Sequence, residues 1–156
     1  MIDVKDKVIL ITGSSGGIGR ELAIRFAGLG AKVVVTGRKP EKIRRVMEEI
    51  ERAGNTAVSF QANLKNDEEV VQLVDFAYER YGRIDVLINN AGGAFPSPAE
   101  NISPNGWKSV IETNLNSAFF CSREVFKIMK NQPGGGKIIN MSSVAGFLPD
   151  VDHAHY

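Results

Sequence analysis

Lys7-Val8-Ile9-Leu10-Ile11-Thr12-Gly13-Ser14-Ser15-Gly16-Gly17-Ile18-Gly19 decides the fold. Residues 7 to 12 form a continuous apolar run, the mark of a strand buried on both faces, as parallel sheets require. The segment that follows must therefore cross over. Without Cβ atoms, Gly13, Gly17 and Gly19 let the turn tighten, let backbone approach an anion and let the next helix pack close to the strand. A glycine-rich turn between such a strand and a helix is where a dinucleotide-binding fold cradles a pyrophosphate, with the helix amino end facing the charge.

Outward from that turn, strand and helix keep alternating. Ile18, Leu22, Ile24, Phe26 and Leu29 are the expected apolar face of the first helix, closed at Gly28 to Gly30 before the run from Lys32 to Thr36. Pro40 opens a second helix carrying Ile43, Val46, Met47 and Ile50, which Gly54 and Asn55 end before a short strand from Thr56 to Gln61. Asp67 is the expected cap of a third helix, which runs to Tyr81-Gly82 and leads into a strand from Ile84 to Ile88. A loop from Asn89 to Asn105 precedes a long helix from about Trp107 to Met129, and Pro133-Gly134-Gly135-Gly136 turns the chain into a last strand, Lys137 to Met141. Five strands and four helices imply an α/β fold, a doubly wound parallel sheet of Rossmann type in the order 3-2-1-4-5. Residues 1 to 156 form one expected domain, with ligands at the carboxyl ends of the strands near the switch between strands 1 and 4.

Composition narrows the function. The 156 residues are 43% hydrophobic, and 19 basic against 18 acidic residues leave a formal charge of +1. That balance is far from the basic surface a nucleic-acid binder needs, so no nucleic-acid partner is expected. No apolar run approaches the roughly 20 residues of a membrane span and the first residues lack a signal peptide's apolar stretch, so no membrane partner and a cytoplasmic location are expected. The single cysteine, Cys121, reads as core packing. Asp150, Asp152, His153 and His155 are close in sequence but lack the regular spacing of a fixed ligand shell, so no metal is expected and a polar loop is the reading.

The second strand ends in Thr36-Gly37-Arg38-Lys39, with no carboxylate to accept from a ribose 2′-hydroxyl. Arg38, with Lys39 as a further candidate, can instead pair with a 2′-phosphate, which favours NADP over NAD. Asn89-Asn90-Ala91-Gly92 follows the fourth strand, offering amides to brace backbone and small residues beside a cofactor ring. Together with Thr12 to Gly19, Asn114 before Leu115, and Ser143 thirteen residues ahead of Tyr156, this tetrad resembles the short-chain dehydrogenase/reductase family, in that family's order and spacing along the whole chain.

The resemblance implies an oxidoreductase moving hydride between nicotinamide and a carbonyl or an enoyl or dienoyl thioester. It makes Tyr156 the general acid/base, Ser143 its partner on the substrate oxygen, and Asn114 the holder of a proton-relay water. It assigns the coenzyme to Gly13, Ser15, Gly17, Ile18, Gly19, Arg38, Asn63, Leu64, Asn90, Ala91 and Gly92. Ser142 is the weaker alternative to Ser143, since neighbouring residues leaving a strand point to opposite sides. Asn63 stands where the family usually has an aspartate against adenine; its carbonyl can still accept a hydrogen bond.

A phenol ordinarily titrates near 10 and needs nearby positive charge to act at neutral pH; the family's lysine for this lies four positions past the tyrosine, beyond residue 156. The chain therefore reads as truncated at the catalytic tyrosine. The segment from Asn90 to Glu100 looks most like the enoyl-CoA and 2,4-dienoyl-CoA reductase branch. The alternatives are a 3-oxoacyl thioester reductase, a secondary-alcohol dehydrogenase, or a nucleotide-binding fragment without turnover. A homo-oligomer, dimer or tetramer, is implied through the long helix, where Val110, Leu115, Phe119, Phe120 and Val125 suit either a twin or the sheet.

Overall fold

The computed structural model describes residues 3–148 and 151–156. Five parallel strands, β1 (Val8–Ile11), β2 (Lys32–Gly37), β3 (Ala57–Gln61), β4 (Val86–Asn89) and β5 (Lys137–Asn140), stand in the order β3-β2-β1-β4-β5. Register is set by Ile9 opposite Val33 and Val86, with Val86 opposite Lys137 on the far side. Helices α1 (Gly17–Gly28), α2 (Pro40–Arg52), α3 (Asp67–Tyr81), α4 (Pro104–Ile111) and α5 (Ser117–Met129) cover the faces. Side chains alternate across each strand. Leu10, Val34 and Leu87 therefore join a core with Val70, Leu73 and Val125, while Ile9, Ile11, Val33 and Val35 join one with Ala23, Ala27, Val46 and Ile50. No helix among the described residues is long and apolar enough to cross a membrane.

Four local expectations change. Of the expected face of α1, Leu22, Ile24 and Phe26 pack half-buried against the core, whereas Ile18 and Leu29 are 63% and 59% exposed; the residues that bury most deeply are Gly19, Ala23 and Ala27, small side chains at the closest approach to the sheet. Asn66, not Asp67, caps α3: its side chain accepts from the Glu68 amide, and Asp67 opens the first turn. The fourth strand begins at Val86, because Ile84 gives both its amide and its carbonyl to the Gln132 side chain.

The expected single helix from 107 to 129 starts earlier, at the Ser103 cap and Pro104, and is broken into α4 and α5 by a π-turn at Glu112–Asn116. There Ser117 N–H reaches back five residues to the Glu112 carbonyl. Along this pair Val110 and Val125 are buried and Phe120 half-buried, while Leu115 and Phe119 are 62% and 60% exposed.

Ser14 joins the two strands beneath the glycine turn. Its fully buried hydroxyl donates to the Ile11 carbonyl (2.7 Å) and accepts from the Thr36 amide (2.9 Å). Ser14→Ala strands that amide in a dry interior and is expected to cost about 1–3 kcal/mol. Urea unfolding checks this, and a wild-type midpoint would show that the bridge contributes nothing.

Candidate active site

The amino end of α1 is left bare. Gly16 precedes it with no side-chain cap, and its first turn holds no acidic residue, whereas α3 has the Asn66 cap and Asp67, Glu68 and Glu69. Free first-turn N–H groups and the positive end of the helix dipole suit an anion. Gly13 has φ +65°, and a Cβ there would come 2.9 Å from Ala91 Cα. A Cβ on Gly19 would fall on the Asn90 side-chain amide and lie 2.7 Å from the Gly13 carbonyl oxygen. The cradle thus depends on missing side chains, which fits a pyrophosphate.

Thr12 and Asn90 lock the switch point between β1 and β4. The Thr12 hydroxyl accepts from the Asn90 and Ala91 amides, both at 2.9 Å, and Asn90 Nδ2 donates to the Thr12 carbonyl at 2.9 Å. Thr12 and Ser14 were legible only as parts of the motif, since apart from the local bond of Ser14 to Ile11 their hydroxyls touch residues 22 to 79 positions away.

A cleft of ≈ 460 Å³ runs from this turn across the carboxyl ends of the strands. Gly13, Ser15, Gly17 and Ile18 line it from the first turn, Arg38 from the end of β2, Asn63 and Leu64 from beyond β3, and Asn90, Ala91 and Gly92 from beyond β4. Gly19 is buried beneath the turn instead of lining it. Of the cations after β2, Lys42, in the first turn of α2, lines the cleft with Arg38, and Lys39 does not. Lys65, Thr113 and Ser117 complete the opposite wall. Asn63 also serves its own turn: its amide donates to Glu69 (2.7 Å) and its side-chain oxygen accepts weakly from the Lys65 amide (3.4 Å).

A second cleft, of ≈ 710 Å³, shares Ile18, Asn90, Ala91 and Gly92 with the first. Asn114, Ser142, Ser143 and Tyr156 all line it. Asn114, on the π-turn, clasps Gly93 with its whole amide: Oδ1 accepts from the Gly93 N–H and Nδ2 donates to the Gly93 carbonyl, each at 2.8 Å. The Ser143 hydroxyl accepts from the Ala145 amide (3.2 Å), capping a short 3₁₀ turn at Val144–Gly146. Both serines face this space, so the alternation argument does not separate them. Tyr156 is 52% exposed, and its amide donates to the His153 carbonyl (2.9 Å).

His155 is buried edge-on against Phe95, with ring centroids 4.5 Å apart, and the Ser97 amide donates to the Asp152 carbonyl (2.8 Å). Asp150 of the acidic and histidine segment lies outside the described residues; among those described, no three His, Cys, Asp or Glu side chains gather as a metal shell. Burial pushes the Cys121 thiol up to about 12, which leaves it unreactive in the core.

Residues 7–156 match the family model described as short chain dehydrogenase. A 3beta-hydroxysteroid dehydrogenase of Mediterraneibacter gnavus is 44% identical over 90% of this chain and 51% of its own length. A Bacillus subtilis protein named "Probable 2,4-dienoyl-CoA reductase" is 39% identical over 90% of this chain and 55% of its own. Among solved structures, a short-chain type dehydrogenase/reductase from Mycobacterium marinum superposes with a TM-score of 0.95 at 28% identity, over 99% of this chain and 63% of the other. The chain thus spans about half the length of the curated relatives it matches. With the β3-β2-β1-β4-β5 sheet, the bare α1 terminus and the family's motifs in place from Lys7 to Tyr156, the chain belongs to the short-chain dehydrogenase family.

Proposed function

We propose that this chain carries the coenzyme site and proton-transfer residues of an NADP-dependent oxidoreductase acting on a carbonyl or an enoyl or dienoyl thioester. The observation that carries this reading is the shared rim: Ile18, Asn90, Ala91 and Gly92 border both clefts, so a ligand stretched along the first presents one end to the second. The α1 amides and the turn of Gly13, Ser15 and Gly17 hold the diphosphate, with Gly19 packed beneath them, while Asn63 and Leu64 hold the adenosine end and Asn90 to Gly92 the ring end. When bound, such a coenzyme supplies or accepts the hydride. Tyr156 exchanges a proton with the substrate oxygen, Ser143 donates a hydrogen bond to that oxygen, and Asn114 holds the relay water. Exposed Leu115 on the π-turn, with Phe119 and Phe126 on α5, favours a homo-oligomer, dimer or tetramer, as their cover.

Arg38 and Lys42 line the cleft where β2 ends, and residues 36 to 39 include no carboxylate, which favours a 2′-phosphate over a free hydroxyl. Arg38→Ala is expected to weaken NADPH about tenfold, the low end for a charge-assisted contact at an exposed residue, and to leave NADH affinity unchanged. Isothermal titration with both coenzymes measures it. Equal losses would remove the 2′-phosphate assignment, and a wild-type chain that binds neither coenzyme would overturn the function itself.

The higher identity to the hydroxysteroid dehydrogenase favours a second reading for the substrate, a secondary alcohol and its ketone. NADPH oxidation with dienoyl and 3-oxoacyl thioesters, set against NADP reduction with cyclic secondary alcohols, separates the two.

A further inference from the structure

Lys65 belongs to the turn between β3 and α3, two residues past Asn63, yet its side chain reaches a different element. The ammonium donates to the Ser109 carbonyl (3.1 Å) and the Ser109 hydroxyl (2.8 Å) in α4, and stands 3.7 Å from the carboxylate of Glu112, where the π-turn begins. The side chain is only 25% exposed, so these contacts are screened less than those of a surface pair. A π-turn disturbs the ordinary helical ladder, and side chains here cover its carbonyls. Thr113 Oγ1 donates to Ser109 (2.7 Å), Asn114 Nδ2 to Val110 (3.1 Å) and Ser117 Oγ to Thr113 (2.6 Å). Those three braces come from the turn and its flank; Lys65 braces the same turn from a separate element, the β3–α3 segment. At the far end Asn114 clasps Gly93, next to the rim that both clefts share.

We propose that Lys65 is a positioning residue: anchored on Ser109 and beside Glu112, it locks the π-turn and Asn114 so that the Asn90–Gly93 rim is preformed for the ring end of the coenzyme. The inference rests on the coenzyme reading above. It makes the adenosine end and the ring end of the site mechanically continuous, through Lys65, Ser109, the π-turn and Gly93.

Lys65→Met keeps most of the stem and removes the ammonium, while Lys65→Arg keeps the charge and the donors. Two probes distinguish the ends of the site: 2′,5′-ADP, which carries the adenosine end alone, and NADPH. In calorimetry Lys65→Met should hold 2′,5′-ADP within about twofold and weaken NADPH about tenfold, an ordinary size for coupling between sites. Hydrogen exchange of the nucleotide-free protein should quicken at residues 112–117, and Lys65→Arg should restore both readouts. Equal losses for the two nucleotides would make Lys65 a direct nucleotide contact and overturn the proposal. Unchanged NADPH affinity and exchange would overturn it as well. A wild-type chain that binds neither probe would instead bring down the coenzyme reading, a result separable from one in which wild type and Lys65→Met bind both equally.

Discussion

Gly19→Ala is expected to lower the melting temperature by about 2–12 °C and to abolish measurable coenzyme binding. The added methyl would occupy the place of the Asn90 amide and lie 2.7 Å from the Gly13 oxygen and 2.9 Å from Ser14 Cα. None of the three yields cheaply. Asn90 is tied to Thr12, and Ser14 is pinned between Ile11 and Thr36. Overpacking of this kind costs about 1–3 kcal/mol, and a chain of this size loses roughly 2–4 °C for each kcal/mol. Relief requires α1 to lift from the sheet, which carries its first-turn amides away from the diphosphate. Gly16→Ala is the control: its Cβ would meet nothing within 4 Å, so the melting temperature should stay at the wild-type value. Calorimetric melting and NADPH titration of both variants test the argument, and a Gly19→Ala protein with wild-type stability and affinity would refute it.

The second large effect is at Tyr156. Tyr156→Phe removes one hydroxyl from a residue that is half exposed, so no buried polar partner is orphaned and the fold should be unaffected. A positioned proton donor contributes about 10²–10⁴-fold to the chemical step. In steady-state NADPH oxidation the variant should lose kcat by about that factor, while its NADPH dissociation constant stays within about twofold of the wild type. A Phe variant that turns over at the wild-type rate would take the proton from Tyr156 and assign it elsewhere in the second cleft. Ser142→Ala and Ser143→Ala, assayed alongside, identify which hydroxyl assists, because both line the same space.

Much of this arrangement was legible in the chain. The run from Lys7 to Thr12, repeated in kind at Lys32, marks strands buried on two faces, and chain connectivity with right-handed crossovers then leaves few orders besides 3-2-1-4-5. Arg38, Asn63 and the Asn90 to Gly92 segment each follow a strand, so the parallel sheet brings them to one edge, and they do line one cleft. Periodicity was less informative where fit decided the outcome. The apolar pattern of α1 names Ile18, Leu22, Ile24, Phe26 and Leu29; the middle three pack half-buried on the core, but the close approach to the sheet buries Ala23 and Ala27 most deeply and leaves Ile18 and Leu29 exposed. Lys39 lies next to Arg38 in sequence, but the helix opened at Pro40 brings Lys42 to the cleft instead.

The sequence by itself determined the order of strands, the bare glycine turn and the edge at which ligands meet, because these follow from local periodicity, absent side chains and chain connectivity. Only the tertiary structure decided that Thr12 and Ser14 brace the cradle, that the long helix breaks into a π-turn, and that Lys65 reaches Ser109 from 44 residues away. The first and last of those outcomes rest on hydrogen bonds between remote segments, and a pattern of neighbours along the chain carries no record of which distant carbonyl a hydroxyl or an ammonium will find; the π-turn shifts one local bond, Ser117 N–H to Glu112, which helical periodicity does not distinguish.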